Sequence, residues 1–136
     1  MAKTIIQEID DVIYKELSPS VNKISEEPSN SSLNFTVSYQ FGSTEITIWR
    51  DRGLYSVLLS SAQSSMTHYI GKIAAYLNEE NVEFGTVSYP KELSVQLCFI
   101  KNNISQIEGL FLSEGIDTKL NEIGQFKSIP KGTKSA

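Results

Sequence analysis

Apolar and polar residues alternate through positions 33–60, LNFTVSYQFGSTEITIWRDRGLYSVLLS, and this period of two predicts three antiparallel strands around which the chain is organised. Gly42-Ser43 has the composition of a two-residue type II′ turn, because glycine tolerates the positive φ of its first central position. That turn sets Phe41 opposite Thr44, Tyr39 opposite Ile46 and Val37 opposite Ile48. On the other face, Ser38 meets Thr47 and Thr36 meets Trp49. The second turn contains Asp51-Arg52-Gly53. Only an even-length loop there keeps Val57 and Leu59 on the face of Ile46 and Ile48, and a one-residue slip would send them outward.

The flanking segments change period. Ile6, Ile9, Ile13 and Leu17 recur at helical spacing, widened by Ile5 and Val12, and predict a helix over 3–17 that ends at Ser18-Pro19. SEEPSNSS, 25–32, reads as a loop. Met66, Tyr69, Ile70, Ile73, Ala74 and Leu77 share one face of a helix over 66–78, with Ser64 or Ser65 as cap and His68 in its first turn. Two further strands are expected over 83–89 and 93–100, placing Val87, Tyr89, Leu93, Val95, Leu97 and Phe99 on one face. Cys98, with apolar neighbours on both sides, is then expected to be an inert buried thiol. Asn103 with Gln106 resembles a capping box opening a helix to about 113, stopped by Gly115, and a helical turn follows over 117–123. The expected architecture is α+β, with the order α-β-β-β-α-β-β-α and helices packed on an antiparallel sheet. It forms a single domain over 1–126, followed by a flexible basic tail over 127–136.

Length and composition support one core: 136 residues at 40% hydrophobic content suffice for one domain. The net charge of -4 is uneven, because up to residue 126 there are 9 basic and 16 acidic side chains, and Lys127, Lys131 and Lys134 follow. The body therefore lacks the basic footprint that nucleic-acid binding needs, while its acidity would suit a basic protein partner. One cysteine excludes an intrachain disulfide and a cysteine-based zinc cage. No signal-peptide-like run or membrane span is apparent, so a cytoplasmic protein without membrane association is expected. Asn-x-Ser/Thr triplets at Asn30, Asn34 and Asn103 are then chance matches.

The chemistry of catalysis is sparse. There is one histidine and no Gly-rich phosphate loop, His-Glu-x-x-His or Gly-x-Ser-x-Gly, so neither cofactor nor metal is expected. An enzyme assembled around His68, Asp51 and Arg50 is the alternative on this count. Recognition is better supplied. Trp49 would be the one indole on an otherwise small, hydroxylated strand face, and tryptophan and arginine are the residues most enriched at interface hot spots. A covering helix, or packing on Thr36, would instead make Trp49 structural. The expected partner-binding set is Thr47, Trp49, Arg50, Asp51, Arg52 and Tyr55, joined by the acidic Glu79 and Glu80. An exposed sheet edge is a further route to a partner or to a homodimer.

At 46–59 the run ITIWRDRGLYSVLL resembles the strand, charged turn, strand segment of several small bacterial immunity proteins, which neutralise a toxin domain by direct binding. The predicted order of elements, with a mass of 15.2 kDa and a pI near 5.0, is also similar to small acidic chaperones of type III secretion effectors. Both resemblances imply a non-enzymatic protein that binds another protein. The immunity resemblance implies acidic steering of a basic toxin, with Trp49 or Tyr55 as anchor. The chaperone resemblance implies a homodimer holding an extended effector segment.

Overall fold

Thr4 opens the first helix by the mechanism its sequence offers: its side chain accepts from the Gln7 N–H at 3.1 Å, and the Gln7 side chain accepts from the Thr4 N–H at 2.9 Å. The computed structural model describes residues 4–27, 34–61, 66–78, 84–121 and 129–130. Helix α1 (Ile5–Leu17) buries Ile9, Ile13 and Leu17 and ends at Ser18, whose extended backbone suits the following proline. Burying three such side chains stabilises the fold by roughly 1.5–3 kcal/mol each.

The sheet is a meander in chain order, with every neighbouring pair antiparallel: β1 (Val21–Glu27), β2 (Phe35–Phe41), β3 (Thr44–Asp51), β4 (Leu54–Ser61), β5 (Met66–Tyr69) and β6 (Ile129–Pro130). The β2 to β4 registers are those the alternation predicts, with Val37 opposite Ile48, Tyr39 opposite Ile46, Ile48 opposite Val57 and Ile46 opposite Leu59. In the first turn Gly42 has φ +62° while Ser43 is not in the positive region, as type II′ requires. In the second, Arg52 and Gly53 have φ of +55° and +79°, the signature of a type I′ turn.

Helices complete the core on the face of Ile46 and Ile48. After β5 come α2 (Ile70–Asn78), a 3₁₀ turn (Pro90–Leu93), α3 (Ser94–Asn102), α4 (Ile104–Leu112) and α5 (Ile116–Asn121). Residues from the first four strands and all five helices form one buried apolar cluster. The chain is therefore α+β, as its patterning predicts, but several details differ from the expected arrangement.

First, 21–27 form a strand where a loop was expected from Ser25. As an edge strand, β1 buries only Val21, and its pairing shifts between Lys23 and Ser25. Second, the helix over 66–78 starts at Ile70, because 66–69 join the sheet, with His68 opposite Leu59 and Tyr69 opposite Leu58. Sheet pairing overrides helical periodicity there. Third, 84–86 are irregular and 94–102 are helical, so neither expected strand forms. Leu93, Gln96, Leu97 and Ile100 are buried at helical spacing, whereas Val95, inward in the strand reading, is 66% exposed. Fourth, Cys98 consequently lies exposed on α3, with its thiol 3.7 Å from the Glu16 carboxylate, and is not a buried core residue. The Asn103 capping box does not form either. Asn103 flanks α4 but its side-chain amide donates to the Phe99 carbonyl at 2.9 Å.

Two polar clusters fix these layers. Tyr39 donates to Asp10 at 2.5 Å, and Lys23 bridges Asp10 and Glu26, tying α1 to β1 and β2. Glu108 of α4 accepts from the Ser43 N–H and hydroxyl, both at 2.7 Å, tying the first hairpin to the helical layer.

Candidate functional site

Strand alternation puts Trp49 and Asp51 on the face opposite Ile48, and the turn brings Leu54 across from Asp51 and Ser56 across from Trp49. Beyond β4 the strand edge is shared. Tyr55 is bridged to Val87, with N···O distances of 2.8 and 3.0 Å in the two directions, whereas Leu58 and Leu59 pair with β5. Val57 lies between these two pairings, and a cleft of about 540 Å³ opens there. Its apolar walls are Trp49, Leu54, Val57, Ile70 and Phe84. Polar groups reach it from Asp51, Arg52, Ser56, Tyr69 and Thr86. A mostly apolar cavity of this size with a few polar groups is the ordinary form of a binding site.

Helix α3 holds the far wall. The Gln96 side-chain amide donates to the Gly85 carbonyl at 2.9 Å, and the Phe84 ring meets Phe99 edge to face with centroids 5.3 Å apart. The near wall is set by the type I′ turn, where the Arg52 N–H donates to the Asn34 side-chain oxygen at 3.1 Å. Trp49 itself is half-buried, and its indole nitrogen is buried without a hydrogen-bond partner among the described residues. Leaving such a donor unmet costs about 1–3 kcal/mol. Burial raises the Tyr69 hydroxyl above the usual tyrosine range, and the charge of Asp51, which lines the same cleft, adds to this.

Three of the expected binding residues, Trp49, Asp51 and Arg52, meet in this cleft. Thr47 shares their face but does not line it, and its hydroxyl lies 3.0 Å from that of Ser38. Arg50 and Tyr55 belong to the opposite face, where the guanidinium stands 5.6 Å from the centre of the Tyr55 ring. Tyr55 is 3% exposed, so it is a core residue and Trp49 is the accessible aromatic of the two. Glu79 and Glu80 lie outside the described residues.

His68 is not in a helical first turn. It is fully buried in β5, with its ring 6.2 Å from Phe111, while Asp51 stands on the other face of the sheet. Those two residues therefore do not converge.

Sequence reasoning could have added Leu54 and Ser56, which follow from the even-length hairpin. Nothing in the sequence marked Tyr69, Ile70 or 84–86, because they reach the cleft through tertiary contacts. Among the described residues no group of three or more His, Cys, Asp and Glu could hold a metal, and no helix is long and apolar enough to cross a membrane. No protein family matches this chain, and neither a curated protein nor a solved structure is significantly similar to it.

Proposed function

We propose that this chain is a non-enzymatic protein-binding protein that seats its partner on the Trp49 cleft, acting as an immunity protein that covers the working surface of a toxin domain. The observation that carries this reading is the cleft itself, where a half-buried tryptophan stands among apolar walls with Asp51, Arg52 and Ser56 beside it. Hot spots have this composition: an aromatic anchor, a site for desolvated side chains, and a polar rim that excludes water. The acidic balance of residues 1–126 favours encounter with a basic partner.

A strand-edge mode is less well served. Among the described residues β1 is an edge strand, and it carries a pairing irregularity next to Ile24 as well as Lys23, Glu26 and Glu27, features that blunt edge-to-edge pairing. The test is recovery of partners from the native host with tagged wild-type protein and with Trp49→Ala, alongside sedimentation of the purified chain. A stoichiometric folded domain captured by a monomeric wild type and lost by the variant is the expected result. Retention by Trp49→Ala would refute the cleft as the binding site, and a dimer carrying an extended secreted effector would replace the immunity reading by the chaperone one.

A further inference from the structure

We propose that the Trp49 cleft takes an arginine side chain of the partner, stacked on the aromatic walls with its guanidinium beside Asp51. This inference rests on the protein-binding reading and adds the chemistry of the group that enters the cleft. Three aromatic residues from three separate elements, Trp49 of β3, Tyr69 of β5 and Phe84 of the segment held by α3, line one cavity. Aromatic faces attract cations through the ring quadrupole, with tryptophan the strongest of the three, and the attraction grows as the site is desolvated. A carboxylate is present among them: Asp51 is half-buried, and its charge is felt at the Tyr69 hydroxyl.

Arginine fits this combination better than lysine. Its guanidinium is planar, weakly hydrated and able to stack while offering two parallel N–H groups to a carboxylate, whereas an ammonium gives up more hydration for a point contact. The acidic balance of residues 1–126 would draw a basic segment toward it.

Arg52 also borders the cleft, and its charge opposes an incoming cation. It is exposed at the tip of the turn, where solvent screens it, whereas Asp51 is half-buried. The two residues therefore push the affinity for a cation in opposite directions, which separates the inference from simple damage to the site. Asp51→Asn keeps the shape and removes the attraction. Arg52→Asn removes the repulsion while placing Asn-Gly, a favoured type I′ pair, at the φ values already present.

The chain has one tryptophan, so its emission reports the cleft directly. The probes are capped tripeptides, Gly-X-Gly, with X as arginine, lysine, norleucine or glutamate, titrated to about 30 mM, above the millimolar dissociation constants expected of a single anchored side chain. A saturable change is expected with arginine, a weaker one with lysine, and none with glutamate. Asp51→Asn should weaken the arginine peptide about tenfold, the scale of a charge-assisted hydrogen bond to a half-buried carboxylate, and Arg52→Asn should strengthen it.

Norleucine binding as tightly as arginine, no saturation with arginine, or weakening by both variants would overturn the inference. The broader reading fails separately, if Trp49→Ala leaves capture of the protein partner intact. Loss of capture by Trp49→Ala together with a flat peptide series would keep the partner site and discard the arginine.

Discussion

Replacing Gly42 with alanine tests the hairpin that sets the register of the central strands. Gly42 has φ +62°, and a Cβ built on it would lie 2.7 Å from the Glu108 carboxylate oxygen Oε2. Left-handed backbone costs an L-residue about 1–2 kcal/mol. The close approach itself is relieved by moving the Glu108 side chain, so the further cost is what that movement gives up. The same oxygen accepts from the Ser43 N–H and hydroxyl, both at 2.7 Å. Charge-assisted bonds of this kind are worth about 1.5–3 kcal/mol when buried, but here solvent reaches the carboxylate, and about 1 kcal/mol for the pair is the discounted figure.

Gly42→Ala should therefore destabilise by about 2–3 kcal/mol, a large part of the roughly 5–15 kcal/mol that holds a domain together. Urea unfolding followed by tryptophan emission and by circular dichroism measures it. The decisive comparison is a Glu108→Ala background, where only the backbone cost of about 1–2 kcal/mol should remain. An equal loss in both backgrounds, or a loss below about 0.5 kcal/mol in the wild type, would refute the reasoning.

Further outcomes follow from the same contacts. The hydrogen bonds from Ser43 hold the Glu108 carboxyl below the usual carboxylate range, so its contribution is fully present above that range and fades as pH falls through the folded value. Glu108→Gln should flatten that acid limb of stability measured by urea unfolding. Tyr39→Phe removes a 2.5 Å bond to Asp10 and should cost about 1–2 kcal/mol in the same assay. Burial and the Asp10 bond raise the Tyr39 hydroxyl; burial lowers Lys23, but the hydrogen bonds and charges of Glu26 and Asp10 together outweigh it and leave Lys23 raised. Stability from this cluster is thus complete below the ordinary tyrosine value and is lost as pH climbs beyond it, and the alkaline loss should be shallower in Tyr39→Phe. Cys98 should react with a thiol reagent in native buffer at a rate close to that of the unfolded chain, and protection until unfolding would contradict its exposed place on α3.

The legible part of the fold was the pair of hairpins around β3. Positions 44–51 bury every second residue as far as Ile48, 35–41 and 54–61 do so only in part, and the turn residues Gly42 and Gly53 fix the pairing, so the registers followed from β3 and the two turns. Residues 93–100 were misread because a helical stripe and a strand stripe share Leu93 and Leu97, and the stripe that decides between them runs through a polar residue, Gln96. That glutamine is buried because it holds the Gly85 carbonyl, a contact no local pattern announces. The β1 strand was hidden by its edge position, since only Val21 of VNKISEE is buried. Half of the cleft was visible for the same reason as the hairpin, because Trp49, Asp51 and Arg52 sit on it. The other half, Tyr69 and 84–86, depends on where β5 stops and Val87 begins along β4, which is a property of the assembled sheet.

The central claim, that the Trp49 cleft is the partner surface, is tested most directly by amide hydrogen exchange on the chain alone and in complex with the partner recovered from its host. Slowed exchange across 49–57, at Tyr69 and Ile70 and across 84–87, with α4 and β1 unchanged, is the result this account predicts. Protection confined to β1, or to the outer faces of α3 and α4, with 49–57 unchanged, would contradict it.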